Sequence, residues 1–345
     1  MRLCLTILLI MMFCLTGCQV KQTALPRPAI DSPVGMSDYL TSRNLPALKK
    51  ISDWENPYGP GLKLETEHYL IYTTLLSPLM LSQVPGFMES CYQGYTGQMS
   101  NAAVSGAPMT VYLFADRSQW EAFTVNFAGE QAAVYKKIKS GAYYLDGACV
   151  AYNIGIEKTF SVLGHEGWHQ FSGRHFSYRL PSWLDEGAAM MFEVNSYKEG
   201  FYYFEPDRNM YRLAPLKMAL IENKMMPLSL IISLNPGEVL AMDNTDSVSG
   251  FYAQSYALIR FLREENFGEH FTDYQRIMAD GLYGKWPIDA AEAKIAADRN
   301  IRLTVNWNKQ IGRKLFKTYI AEDIDQLNDE YMKFCRKIVY HVHLR

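Results

Sequence analysis

His165 and His169 stand four residues apart with Glu166 between them, in the run Gly164-His165-Glu166-Gly167-Trp168-His169. On a helix, positions i and i+4 lie one above the other. Both imidazoles therefore leave one face at a separation that a single Zn²⁺ bridges. Glu166 falls about 100° around the helix from His165. That puts it beside such an ion rather than on it, where a base for a water molecule has to be. The plain alternative is a pair of polar side chains on a solvated helix face. The Trp183-Leu184-Asp185-Glu186-Gly187 run that follows speaks against it, because it offers a further carboxylate at short range.

Two histidines leave a zinc site short of a third protein ligand. Two residues qualify. Glu186 follows Leu180-Pro181-Ser182-Trp183-Leu184-Asp185, where Pro181 and a capping-box-like Ser182/Asp185 pair predict a helix start. Glu186 then lies in the first turn of a second helix, with Met190 and Glu193 on the same side, the two-helix arrangement of a gluzincin. His175 is the other candidate, since His165, Glu166, His169 and His175 match the metzincin spacing H-E-x-x-H-x-x-G-x-x-H except that the glycine is Gly173 and position 172 is Ser. That displaced glycine favours Glu186. Met190 and Met191 fall inside a helical pattern and are not a Met-turn. Asp185 is accounted for as a cap. Glu193 reads either as a group orienting a ligand histidine or as a solvated position.

The elements that must hold these residues are legible in outline. Lys63–Thr73 and Met109–Phe114 read as strands, Met88–Met99 and Arg117–Phe127 as helices. Gly141–Tyr144 and Ala148–Asn153 read as a hairpin across Asp146-Gly147. From Lys158 the pattern turns helical. Phe160, Leu163, Gly164, Gly167 and Phe171 share the face opposite the histidines. The two glycines there cost about 1 kcal/mol each in helix propensity, which close approach of a neighbouring element would offset. Ser172-Gly173 offers a helix stop. Tyr252–Glu265, His270–Asp280, Ile288–Asp298 and Ala321–Ile338 carry helical periodicity. The expected fold is α+β: a small mixed β/α subdomain over residues 61–200 with the active-site helix, then a mainly helical subdomain over 201–345.

The N-terminus belongs to targeting. Arg2, the apolar run Leu3–Leu15 and Leu15-Thr16-Gly17-Cys18 match a lipoprotein signal peptide over residues 1–17, with lipidation at Cys18. Acyl chains there anchor the protein without a transmembrane helix. Residues 18–60, with scattered prolines, read as a tether. Gln19 in place of Asp after the cysteine points to the outer membrane, facing the periplasm, in a Gram-negative host. Cys91, Cys149 and Cys335 are too few and too far apart for a disulfide framework. Charge is balanced, with 34 Lys and Arg against 36 Asp and Glu and no basic stripe, so a nucleic-acid partner has no electrostatic support.

From His165 to Glu193 the chain resembles the peptidase MA-like family of gluzincin metallopeptidases. It shares the H-E-x-x-H-Q run, the P-x-W-L-x-E-G-x-A helix at Pro181–Ala189 and the Y-A-Q-S-Y-A-L run at Tyr252–Leu258. The resemblance implies a zincin-like fold, Zn²⁺ on His165, His169 and Glu186, and Glu166 as general base in peptide-bond hydrolysis. It also offers Tyr252 or Tyr256 as a donor to the oxyanion, although core packing is the simpler account of either. The substrate implied is a peptide or protein. A non-catalytic zinc lipoprotein serving in binding or envelope assembly is the competing expectation.

Overall fold

A computed structural model describes residues 30–100, 104–139, 141–241, 245–300 and 305–344. The signal segment and Cys18 lie outside the described residues. The chain enters through α1 (Pro33–Ser42), where the Ser32 hydroxyl accepts from the Gly35 N–H. An antiparallel meander follows, of β1 (Lys50–Asp53), β2 (Leu62–Glu65) and β3 (Tyr69–Thr73). Helices α2 (Pro78–Leu81) and α3 (Val84–Thr96) cross to β4 (Met109–Phe114), which runs parallel to β3. Next, α4 (Arg117–Ala128) and α5 (Ala132–Tyr135) lead to the hairpin β5 (Ala142–Leu145) and β6 (Ala148–Tyr152). Asp146 and Gly147 turn that hairpin with φ of 46° and 80°, the two positive values that a tight two-residue hairpin turn requires and that Asp-Gly supplies.

The six strands stand in the order β1-β2-β3-β4-β6-β5, which leaves β5 at an edge. Alternation along the strands covers both faces. Leu62, Leu64, Ile71, Val111 and Leu113 join Phe87, Phe160 and Leu163 in the main core. On the other face Phe114, Trp120, Phe123, Tyr143, Val150 and Tyr152 form a smaller, aromatic cluster with α4.

Beyond the sheet come α6 (Ile156–His175), α7 (Ser182–Ala189) and a two-stranded hairpin, β7 (Asn195–Lys198) with β8 (Phe201–Phe204). The remainder is helical: α8 (Met210–Ile221), α9 (Leu228–Ile231), α10 (Pro236–Ala241), α11 (Thr245–Glu264), α12 (Phe271–Leu282), α13 (Ala290–Ala297), α14 (Val305–Tyr319) and α15 (Ile324–Ile338). The protein is thus a mixed α+β structure with its helices concentrated after the sheet, as the sequence predicts. One buried cluster runs from Met36 to Val342, so the sheet region and the helical region share a core. Among the described residues, no helix is long and apolar enough to cross a membrane.

Four expectations need correction. The tether does not extend to residue 60: Met36 and Leu40 on α1 are fully buried and β1 pairs with β2, because an apolar stripe of only a few residues suffices to seat a short helix. Ser172-Gly173 does not end α6, which continues to His175; Gly173 serves instead to let the Tyr144 ring lie against the helix. Lys63–Thr73 is not one strand but two, β2 and β3, paired antiparallel. The β7–β8 hairpin, α8 and α14 were not foreseen as separate elements. Cys91, Cys149 and Cys335 are buried free thiols.

Candidate metal centre

The packing face of α6 decides where its other face looks. A Cβ on Gly164 would run into the carbonyl oxygen of Phe192, and one on Gly167 would lie 2.5 Å from the Tyr95 hydroxyl. That hydroxyl donates to the Gly164 carbonyl at 2.7 Å. The missing side chains therefore let α3 and the 190–192 turn close on α6. The turn directly follows α7, so α7 is drawn against α6 and Glu186 reaches the histidines. On its far side α7 meets α11, where a Cβ on Gly187 would lie 2.7 Å from the Ser255 carbonyl oxygen.

His165 Nε2, His169 Nε2 and a Glu186 carboxylate oxygen form a triangle with edges of 3.3, 3.5 and 3.6 Å. Ligands about 2.0–2.2 Å from a tetrahedral ion are separated by roughly 3.3–3.5 Å, so the three donors stand at the spacing one small ion imposes. Among the described residues this is the group of His, Cys, Asp and Glu side chains able to hold a metal. Each of the three keeps about one seventh of its side-chain surface exposed (14%, 15% and 15%), so the centre is open to the solvent side.

Behind each imidazole stands a carboxylate. His165 Nδ1 contacts Glu193 at 2.9 Å, and Glu193 in turn accepts from Asn209 at 2.7 Å and from Arg212 Nε at 2.9 Å. His169 Nδ1 contacts Asp185 at 3.1 Å, whose other oxygen accepts from Trp168 Nε1 at 2.8 Å and Ser172 Oγ at 3.1 Å. A carboxylate at Nδ1 places the ring proton there and leaves the Nε2 lone pair facing the triangle, which is the tautomer a metal needs. Asp185 is therefore not a cap. The first N–H of α7, that of Ser182, donates to Asn308 on α14 at 3.0 Å instead. Glu193 is buried against His165 and does not stand on a solvated face.

Electrostatics agree with the geometry. Burial disfavours protonating His165, yet Glu186 and Glu193 outweigh it and raise its pKa to about 9. His169 is likewise raised well above the ordinary value against burial, by Asp185 and Glu186. Burial would raise both Glu186 and Glu193, but the imidazoles hold Glu186 far below the usual carboxylate range, and His165 with Arg212 bring Glu193 to about 2. The donors thus favour positive charge at the centre of the triangle.

Glu166 lies outside the triangle. Burial raises its pKa, with Glu186 adding, while the two histidines and the Tyr144 backbone N–H of β5, which faces the carboxylate, oppose. With His165 it lines a cavity of about 630 Å³ that also takes in Glu193, Tyr211, Arg212 and Tyr252. Tyr252 projects from α11 beneath the Arg212 guanidinium, 5.5 Å from its ring centroid, and burial pushes its hydroxyl pKa up so that it stays protonated. Tyr256, one turn on, is excluded from the site: it is fully buried, donates to the Pro206 carbonyl and accepts from Arg260 at 3.1 Å. His175 is excluded too. Its ring faces Phe171 and Tyr92, with centroids 4.7 and 6.2 Å away.

Arg212, Asn209 and Tyr211 were missed, since no motif marks them and α8 itself was unrecognised. Comparison with protein-family models, curated proteins and solved structures finds no match for this chain.

Proposed function

We propose that the protein is a zinc-dependent peptidase, with His165, His169 and Glu186 holding the metal and Glu166 as the base. The observation that carries this is the triangle of three donors with a fourth, unligated carboxylate beside it. Two imidazoles and one carboxylate at tetrahedral spacing suit zinc, whereas calcium and magnesium call for all-oxygen shells. Bound there, zinc would supply a Lewis acid and a water acidic enough to ionise near neutral pH.

The chain's own groups then have defined tasks. Glu166, with its raised pKa, takes a proton from the attacking water and returns it to the leaving amine. Tyr252, kept protonated, donates to the oxyanion that develops on the substrate carbonyl. β5 is an edge strand whose Tyr144 N–H already points at Glu166, so its outer edge offers backbone pairing to an extended peptide. In this reading the fold is zincin-like, the likeness to the peptidase MA-like gluzincins reflects shared chemistry, and Cys18 carries the lipid that holds the enzyme at an extracytoplasmic membrane face.

A non-catalytic structural zinc would need closing by a fourth protein ligand. His175, the side chain at hand for that in the sequence, faces Phe171 and Tyr92 instead. The test is casein cleavage by the purified, zinc-loaded chain and by its Glu166→Gln variant. Zinc content should stay equal while cleavage falls on the order of 100-fold or more; equal cleavage would sink the proposal.

A further inference from the structure

The cavity beside the metal triangle carries two positive charges that nothing in the proposed chemistry uses. Lys139, just ahead of β5, and Lys158, in the first turn of α6, line it together with His165, Glu166 and Tyr252. Both lysines are exposed, and neither makes an ion pair among the described residues. The other charges in the cavity are matched. Glu193 is taken up by Arg212 and His165, and Glu166 with Glu186 would balance a divalent ion held by the triangle. Glu157, the acid nearest in sequence, points about 100° away around α6 and does not line the cavity.

The position of the pair along the cleft is specific. Lys158, Ser161, Val162, His165 and Glu166 lie on one face of α6 and form a continuous wall. Seven residues separate Lys158 from His165, about 10 Å of helix axis. An extended peptide at ~3.3 Å per residue covers that in about three residues. Lys139 approaches the same end, because Gly141, two residues on, lies against Ile154 just ahead of α6 and all three of Lys139, Ile154 and Lys158 line the cavity.

We infer that the cleft selects peptides carrying acidic side chains two to four residues from the scissile bond, on one side of it only, with Lys139 and Lys158 as the recognising groups. The inference rests on the peptidase reading for its substrate class and adds the charge preference. The probes are fluorescein-labelled, alanine-rich decapeptides bearing two adjacent Glu, Gln or Lys residues off-centre. Binding is read by anisotropy on the zinc-loaded full chain in detergent, in the Glu166→Gln background so that nothing is cut. The Glu peptide should bind about tenfold more tightly than the Gln peptide and the Lys peptide least, with the gap narrowing as salt rises. Lys139→Glu with Lys158→Glu, both at exposed positions, should invert the order. Equal affinities, an order untouched by the charge reversal, or no binding of any probe would overturn the inference. Acid-selective binding without cleavage by the unaltered chain would sink the hydrolase reading and leave the acidic preference standing.

Discussion

Asp185 binds the back of His169 at 3.1 Å while its neighbour Glu186 reaches the front of the same ring, 3.6 Å from Nε2. Two consecutive acids of α7 thus grip one imidazole from both sides. Asp185→Asn keeps the shape but weakens the hold on the Nδ1 proton, so zinc affinity should fall about 10- to 100-fold. Competition with a chromogenic chelator measures this, and unchanged affinity would show that Asp185 does not tune the ligand.

Gly164 sits under the Phe192 carbonyl with no room for a methyl group. Alanine would improve helix propensity by about 1 kcal/mol, but forcing a backbone carbonyl aside costs about 3 kcal/mol. The balance predicts a net loss of about 2 kcal/mol for Gly164→Ala in urea unfolding, with weakened zinc binding because α7 is displaced from α6. A stabilised variant would contradict this account of the helix contact.

The two tyrosines of α11 should separate cleanly. Tyr252→Phe removes a donor from the cleft and is expected to lower kcat about 100-fold with zinc retained. Tyr256→Phe breaks buried hydrogen bonds with Pro206 and Arg260 and should instead cost about 1–2 kcal/mol of stability, leaving turnover per folded molecule near that of the parent. The reverse pattern would reassign the oxyanion donor.

His175 provides a pH test away from the metal. Burial, with Arg174 and His68 adding, lowers its pKa to about 4, and its Nε2 is buried without a hydrogen-bond partner. The folded protein therefore keeps this ring neutral where the unfolded chain, titrating near 6.5, takes up a proton. Stability from this residue is intact above pH ~6.5 and is lost as pH falls toward ~4. After discounting for its partial exposure, the loss is about 1–2 kcal/mol. The difference in unfolding free energy between the parent and His175→Gln should follow that slope, and a pH-independent difference would refute it.

Much of the site was local enough to be visible in the chain. Four-residue spacing on a helix sets two imidazoles one turn apart whatever surrounds them, and Asp146-Gly147 turns a hairpin by its own dihedral preferences. The start of α7 was also legible at Pro181, although the cap proposed there was not: Asp185 could satisfy a local N–H or a distant imidazole, and only the approach of α6 decides which.

What the sequence by itself determined, then, is the chemistry available: His165 and His169 on one helical face with Glu166 beside them, Glu186 or His175 as the third donor, and a mixed α+β frame. Tertiary structure decided between the donors, brought Arg212 and Tyr252 to the cleft, and sent Tyr256 and His175 into packing. The reason is geometric. Periodicity fixes directions within an element, but the distance between elements depends on what lies between them. Here that separation is set by the side chains Gly164, Gly167 and Gly187 lack.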